Sequence, residues 1–283
     1  MADPADTSVI IPAYNEEAGI AAVVAGVLER GPFREVLVVD DGSTDQTGGK
    51  AEEAGARVVR HPYNKGNGAA VKTGIREARG EVLLFLDADG QHDPQEISKV
   101  LAPIGVYDMV IGARALSDQG RIRALGNACF AALASWLTGR PIRDLTSGFR
   151  AARRGGMLEI LHLLPNGFSY PTTSCLAFLK SGLSVGFVDV KARARVGRSK
   201  IRVVRDGVRF LLIILKIVTL YQPLKVFFPV SFVSFAVGAA YGIVNVAYFH
   251  KIPMGSALLI QLSVVVFLFG LISEQIASSQ ERR

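Results

Sequence analysis

Short apolar runs alternate with helix-like segments over the first 112 residues of the chain. Apolar runs of four to eight residues bounded by turn residues are typical of buried strands. Strands that are apolar on both faces and separated by helices favour a parallel sheet covered on both sides. The predicted strands are 9–12, 35–40, 57–59, 81–87 and 107–114. The predicted helices are 16–30, a segment capped by Ser43 or Thr44 and ending near Ala54, 67–79 and 93–104.

The second half is less regular. Residues 124–138 and 171–182 are helix-like, residues 185–194 indicate a last strand, and the polar stretch 144–154 is typical of turns. The pattern predicts an α/β domain over 1–198.

Two stretches near the C-terminus, 226–249 and 252–273, carry no charged residue. Each exceeds the roughly 20 residues that a helix needs to cross a bilayer. Two buried helices of a globular core are the alternative. We predict a transmembrane hairpin over 223–276 and a tail over 277–283.

A basic amphipathic segment precedes the first span. At about 100° per residue, charged and apolar side chains of 201–220 fall on opposite sides, which favours a helix in the membrane interface over 199–222. A core-packing helix with one solvated face is the alternative.

The net charge of +7 is local, since nine Lys or Arg and one Asp lie between Lys191 and Lys216. This collar predicts a cytoplasmic location for the catalytic domain and both termini. The first residues lack the pattern of a cleavable signal peptide. The two cysteines, Cys129 and Cys175, form no CxxC pair and agree with a reducing compartment. We expect the bilayer as a partner and no nucleic acid.

Polar residues follow several predicted strands, and in open α/β sheets ligands bind beyond the carboxyl ends of strands. The most distinctive group is Asp87, Asp89 and Gln91, directly after the run EVLLFLD. Their hard oxygen atoms suit Mg²⁺ or Mn²⁺ bound together with substrate phosphates. The acidic groups DDGSTD and Glu16–Glu17 could bind a ligand. The alternative is a structural role, because acidic residues near a helix N-terminus complement the helix dipole.

The sequence lacks the motifs of a P-loop, of a dinucleotide-binding fold and of a zinc site. The chain has no GxxxxGK[ST] sequence, no GxGxxG after the first strand, and no His/Cys cluster at zinc spacing, because its four histidines are scattered.

Five motifs together, VIIPAYNEE, VLVVDDGSTDQT, NKGNGAAVKTGI, LFLDADGQHDP and DLTSGFRAARR, resemble the GT-A glycosyltransferases of family 2. The closer similarity is to the dolichyl- and polyprenyl-phosphate sugar synthases. The resemblance covers about 1–220 and implies a Rossmann-like, mostly parallel sheet. It also implies a nucleotide-sugar donor and a polyprenyl or dolichyl phosphate acceptor.

The resemblance also implies roles for individual residues. Nucleoside binding falls to Pro12, Tyr14, Glu16, Asp40 and Asp41, with Asp87 near the diphosphate. Acceptor phosphate binding falls to Arg114, to one of Arg121 and Arg123, and to the stretch containing Asp144 and Ser147. Lys200 and Arg202 match a basic loop that closes over the diphosphates. Asp89, Arg114, Lys200 and Arg202 are therefore the candidate catalytic residues.

A lipid monophosphate is already anionic at neutral pH, so attack on the sugar needs no general base, and none is obvious in the sequence. Single displacement predicts a β-linked product from an α-linked donor. A transferase acting on a sugar hydroxyl and a non-catalytic nucleotide-sugar-binding protein remain alternatives. GDP-mannose, UDP-glucose and UDP-N-acetylhexosamine all remain open as donors, as does the choice between dolichyl and undecaprenyl acceptors.

Overall fold

The structure is a computed structural model that describes residues 3–114, 121–167, 169–191 and 223–281. The chain divides into two compact units, one within Met1–Phe210 and one within Leu211–Arg283. The predicted interface helix at 199–222 lies outside the described residues.

The first unit alternates strands and helices, as the hydrophobic pattern predicts. Its strands are β1 Thr7–Ala13, β2 Glu35–Asp40, β3 Arg57–Arg60, β4 Val82–Phe85, β5 Met109–Arg114, β6 Arg150–Arg153 and β7 Val185–Val190. Its helices are α1 Ile20–Leu28, α2 Thr47–Glu53, α3 Asn67–Glu77, α4 Ile97–Leu101, α5 Arg121–Thr138, α6 Arg154–Glu159 and α7 Tyr170–Lys180.

The seven strands form one mostly parallel sheet in the order β3-β2-β1-β4-β6-β5-β7. The prediction of an α/β fold with this kind of sheet is confirmed. Strand β6 is the exception, because it runs antiparallel to both β4 and β5.

The prediction that 144–154 is only turn-like is wrong for residues Arg150–Arg153, which form β6. Ala151 and Ala152 are fully buried, and Ala151 pairs with Leu84 on one side and Val110 on the other. Arginines flank these two small residues, so the strand carries none of the β-branched or aromatic residues by which strands are recognised.

Alternate residues of β1 face the two layers of helices. Val9 and Ile11 belong to the same apolar cluster as Val24 of α1. On the other face, a Cβ atom at Gly74 of α3 would lie 2.5 Å from Cγ2 of Ile10. The sheet is therefore covered on both sides, and its loop edge remains for chemistry.

Three helix predictions need correction at their ends. The helix predicted over 16–30 is the shorter α1, Ile20–Leu28. Helix α2 begins at Thr47 and is not capped by Ser43 or Thr44; the Asp45 carboxylate accepts the Thr47 N–H. The segment predicted as one helix over 93–104 is a 3-10 turn, Pro94–Glu96, followed by the short α4.

The described part of the second unit is a pair of helices, α8 Pro223–Phe249 and α9 Met254–Glu281. Both are long and apolar enough to cross a membrane. They pack through small residues: the Ser256 hydroxyl donates to the Gly238 carbonyl at 2.8 Å, and a Cβ at Gly238 would lie 2.9 Å from Cβ of Leu259. Small residues at the contact let the two backbones approach closely.

Candidate active site

The loops that follow β1 and β2 are locked together by hydrogen bonds at the carboxyl edge of the sheet. The Asn15 N–H donates to Ser43 Oγ at 3.0 Å, and the Thr44 N–H donates to Asn15 Oδ1 at 2.9 Å. The Glu16 N–H donates to Thr47 Oγ1 at 2.9 Å. Asn15 has a φ of 53°, a left-handed conformation that asparagine tolerates. The two loops that carry the predicted nucleoside-binding residues are therefore fixed against each other.

Glu17 and Asp45 complete this lock. The Gln46 N–H donates to Glu17 Oε2 at 3.2 Å, and the Glu17 N–H donates to Asp45 Oδ2 at 3.3 Å. Both carboxylates thus hold loop backbone near the start of α2. Beside them, Pro12 is buried within β1, Glu16 is partly buried, and the Tyr14 side chain is 40% exposed at the surface.

Asp40 and Asp41, at the end of β2, are both buried and have internal partners. Asp40 accepts the Ser43 N–H and Nε of Arg60, each at 2.9 Å. Asp41 lies 2.7 Å from Nδ1 of His61. It also accepts the backbone N–H groups of Lys65 and Gly66. These contacts give both acids a structural role, and contact with a nucleoside stays a prediction.

Asp87 follows β4 and is held from two sides. Its Oδ2 atom lies 3.1 Å from Nε2 of His92, which is buried. On another side, a Cβ at Gly148 would lie 2.6 Å from the same Oδ2. Asp89 is partly buried, and its Oδ1 accepts the backbone N–H of Gln91 at 3.1 Å. The predicted DxD pair, Asp87 and Asp89, thus follows β4, which is shorter than the predicted strand 81–87 and ends at Phe85. The pair lies beside the loop that precedes β6.

The ionised form of Asp87 is favoured. Burial raises the pKa of this carboxyl, but the hydrogen bond from His92 and the charges of His92, Arg114 and Arg150 outweigh it and bring the pKa below its ordinary value. An opposite charge or a donated hydrogen bond stabilises a carboxylate. The site therefore keeps an anion here at neutral pH.

Arg114, at the end of β5, forms a two-point ion pair with Asp144. Its Nε lies 2.9 Å from Oδ2 and its Nη2 lies 3.2 Å from Oδ1, while Nη2 also donates to Thr146 Oγ1 at 2.7 Å. Burial raises the pKa of Asp144, but the hydrogen bond and charge of Arg114 and the Thr146 N–H outweigh it and lower the pKa. The structure thus brings together two residues predicted for the acceptor side.

Ser147 and Arg150 lie next to this pair. Ser147 is fully buried, and its hydroxyl has no hydrogen-bond partner among the described residues. The fully buried Arg150 donates through Nε to the Ser147 carbonyl at 3.1 Å. It also donates through Nη1 to the Pro171 carbonyl at 2.7 Å and to Ser174 Oγ at 2.8 Å. Arg150 therefore fixes the turn that carries Ser147 and Gly148.

Some predicted site residues cannot be placed. Lys200 and Arg202 lie outside the described residues. Arg121 and Arg123 belong to the first turn of α5, but their side chains are outside the described part of the chain.

Asp87, Asp89 and Gln91 fit a divalent metal by their chemistry. Within the described ranges, no group of three or more His, Cys, Asp or Glu side chains is placed to hold a metal by itself. Mg²⁺ and Mn²⁺ sites in phosphate-transferring enzymes commonly have one or two carboxylates, and the substrate phosphates complete the coordination. Two carboxylates and an amide oxygen at one strand end match that kind of site.

The sequence pattern does not indicate three residues that shape the site. His61 and His92 are scattered along the sequence, yet in the fold each is buried against an aspartate that follows a strand. The third is Gly148, whose missing side chain leaves room for Asp87. For His92 a signal existed, since it lies five residues after Asp87 in the same loop.

Comparison with known proteins shows the family to which the chain belongs. Residues 8–160 match the model of glycosyl transferase family 2, and residues 222–279 match that of the GtrB C-terminal hairpin. Glycosyltransferase AglJ of Haloferax volcanii is 31% identical, over 98% of this chain and 96% of its own length. Polyprenol monophosphomannose synthase of Mycolicibacterium smegmatis is 32% identical, over 69% of this chain and 80% of its own.

A solved structure shares the fold. Glucosyl-3-phosphoglycerate synthase of Mycobacterium tuberculosis, in complex with Mn²⁺, UDP-glucose and phosphoglyceric acid, has a TM-score of 0.64 and 26% identity. The similarity covers 75% of this chain and 79% of that one.

The fold is that of the GT-A glycosyltransferases. The chain belongs to glycosyl transferase family 2 and is a glycosyltransferase, with the GtrB-type hairpin at its C-terminus. The resemblance drawn from the five sequence motifs is confirmed.

Proposed function

We propose that this protein transfers a sugar from a nucleotide-sugar to the phosphate of a polyprenyl or dolichyl monophosphate at a membrane surface. The observation that carries the proposal is the junction of two groups at one sheet edge. Asp87 of the DxD pair packs against Gly148, four residues after Asp144, and Asp144 holds Arg114. Anionic side chains for a metal–diphosphate and an arginine for an acceptor phosphate therefore lie at one site.

The donor side uses Asp87, Asp89 and Gln91 as metal ligands, with either Mg²⁺ or Mn²⁺. When bound, the ion draws negative charge from the diphosphate leaving group. Pro12, Tyr14, Glu16, Asp40 and Asp41 form or support the nucleoside pocket. Lys200 and Arg202 are proposed to contact the diphosphate. The Mn²⁺ and UDP-glucose in the related synthase support this assignment.

The acceptor side is built around Arg114. Its side-chain hydrogen bonds to Asp144 and Thr146 use Nε and Nη2, and Nη1 makes none among the described contacts. We propose that Nη1 donates to the acceptor phosphate. Ser147, with its buried hydroxyl, and one of Arg121 and Arg123 are proposed to assist. A planar guanidinium held at two points is suited to positioning an oxyanion.

The reaction then needs positioning and charge stabilisation but no base. A phosphate oxygen of the acceptor forms a bond to the anomeric carbon, the bond from that carbon to the diphosphate breaks, and the nucleoside diphosphate leaves. The acceptor oxygen is already ionised, so no proton has to be removed. One displacement inverts the anomeric carbon, which gives a β-linked product from an α-linked donor. Arg114 contributes by holding two anions close together.

Membrane attachment agrees with this acceptor. Two apolar helices of sufficient length and the match to the GtrB hairpin support anchoring. We place the catalytic domain and both termini in the cytoplasm, on the basis of the basic collar at 191–216. We also keep the proposed division into 1–198, 199–222, 223–276 and 277–283.

Transfer from labelled donors tests the proposal. Full-length protein in membranes is incubated with labelled GDP-mannose, UDP-glucose or UDP-N-acetylglucosamine, plus Mn²⁺ and undecaprenyl or dolichyl phosphate. We expect the label to appear in a lipid that mild acid cleaves. Labelling should require one of the donors and the added lipid phosphate. Label that instead enters a sugar-hydroxyl acceptor, with none in lipid, contradicts it.

A further inference from the structure

His92 lies behind the donor site and holds a carboxylate of that site. Its Nε2 is 3.1 Å from Oδ2 of Asp87, and an ionised Asp87 can only accept a hydrogen bond. The Nε2–H of His92 is therefore the donor. His92 is 5% exposed, whereas the Asp87 side chain is 38% exposed. The imidazole thus holds the aspartate from its buried side, and part of the Asp87 side chain remains exposed.

The His92 ring is itself held in place. It stacks on the ring of Phe149, with centroids 5.2 Å apart and planes inclined at 28°. Phe149 is 1% exposed. The stack restricts rotation of the imidazole, so the Nε2–H keeps its direction.

The residue before Phe149 limits Asp87 from another side. A Cβ at Gly148 would lie 2.6 Å from Oδ2 and 3.0 Å from Oδ1 of Asp87, closer than such atoms pack. Arg150 holds this segment through the Ser147 carbonyl, and its guanidinium lies 5.9 Å from the Tyr170 ring centroid. Three consecutive residues thus keep the Asp87 carboxylate in place. Gly148 contacts it, Phe149 stacks on the His92 ring that donates to it, and Arg150 fixes the backbone of this segment.

We propose that His92 is a positioning residue, which together with Gly148 fixes the Asp87 carboxylate in the orientation that a metal-bound nucleoside diphosphate requires. His92 does not touch substrate; it acts through Asp87. The inference rests on the donor site given under Proposed function. Hydrogen-bond partners of metal-site residues typically change metal affinity about 10–100-fold when they are removed.

Two substitutions separate the hydrogen bond from the ring. His92→Phe keeps a ring against Phe149 and removes the donor. His92→Gln keeps an N–H donor and removes the ring. His162 is exposed, so His162→Phe and His162→Gln are matched controls. Binding is measured on the full chain in detergent by loss of the free Mn²⁺ signal in electron paramagnetic resonance, with UDP and separately with GDP. Thermal unfolding is followed without metal or nucleotide.

We expect His92→Phe to weaken Mn²⁺–nucleotide binding about tenfold or more, while His92→Gln stays within about threefold of wild type. Both His162 variants should bind as wild type. Rescue by glutamine indicates a positioned donor, since a merely structural ring would be replaced better by phenylalanine. Equal binding by His92→Phe and wild type, or a larger loss in His92→Gln than in His92→Phe, overturns the inference.

Gly148→Ala provides an independent test, and it keeps the proposal testable if His92→Phe does not fold. The added methyl displaces Asp87 directly, so binding should fall by about tenfold or more. The control is Gly155→Ala, because no atom lies within 4 Å of a Cβ placed there. Wild-type binding by Gly148→Ala overturns the inference and leaves the donor site standing. Absence of Mn²⁺–nucleotide binding in the wild type overturns the donor site itself and the inference with it.

Discussion

The guanidinium of Arg114 is held by the carboxylate of Asp144 across 30 residues of sequence, with Nε 2.9 Å from Oδ2. The Asp144 side chain is 2% exposed and that of Arg114 is 21% exposed. The buried partner therefore fixes the direction of the partly buried guanidinium.

This pair predicts a selective effect on the acceptor. Asp144→Asn leaves one acceptor oxygen and places an amide N–H₂ near the guanidinium, so Arg114 should lose its fixed orientation. We expect the KM for lipid phosphate to rise about tenfold, which corresponds to the loss of one charge-assisted hydrogen bond. The Kd of the donor should stay within about threefold.

The exposed ion pair of Arg143 and Asp189 supplies the control for Asp144→Asn. Its side chains are 53% and 77% exposed, and exposed pairs contribute little. Asp189→Asn should leave both constants unchanged. An equal loss of donor and acceptor affinity in Asp144→Asn would indicate general damage to the fold and contradict the assignment.

The pH dependence of stability should report the same pair. The pKa of folded Asp144 lies below the ordinary value of 3.8, so the unfolded chain takes up a proton first as pH falls. The stabilisation by ionised Asp144 is complete above that value and is lost as pH falls through the lower, folded pKa. The Tm difference between wild type and Asp144→Asn should be constant above about pH 5 and should narrow below pH 3.8. A difference that widens in acid would contradict this sign.

Gly68, the last residue of the NKGNG motif, lies where a side chain would disturb packing. A Cβ at Gly68 would overlap the carbonyl oxygen of Pro165, where the start of α3 meets the 165–167 loop backbone to backbone. Gly68→Ala should therefore lower the free energy of unfolding by about 1–3 kcal/mol, measured by thermal unfolding. Gly167→Ala, with open space around its Cβ, should have little effect. Equal Tm values for the two variants would refute the close approach.

The helical hairpin should be sensitive at Gly238. Its Cβ position lies 2.9 Å from Cβ of Leu259 and 3.2 Å from the backbone nitrogen of Ile260, so a valine must push the helices apart. Gly238→Val should destabilise the hairpin in detergent by about 1–3 kcal/mol, followed by far-ultraviolet circular dichroism. Gly255→Val is the comparison, because its nearest atom is an ordinary contact at 3.5 Å. A stable Gly238→Val hairpin would show that the helices do not depend on this contact.

The sequence predicts the parallel part of the sheet because each of those strands is a recognisable apolar run. It does not reveal β6, whose central Ala151 and Ala152 become a strand only between β4 and β5. The strand-end aspartates are visible as motifs, but the partners of Asp40 and Asp41 are not. Arg60 is the last residue of β3, and His61 follows it. Only the fold brings Arg60 to Asp40 and His61 to Asp41. Pairing between distant loops depends on strand order, which local patterns do not encode.

The central claim is that Asp89, after β4, serves a metal-dependent sugar transfer. The most direct measurement is the initial rate of transfer to polyprenyl phosphate by Asp89→Ala in membranes. Asp93→Ala is the control, since Asp93 caps a 3-10 turn by accepting the Gln95 N–H at 3.0 Å. We predict a loss of about 100-fold or more for Asp89→Ala, with normal membrane insertion and a near-normal rate for Asp93→Ala. A rate for Asp89→Ala equal to that of wild type would contradict the account.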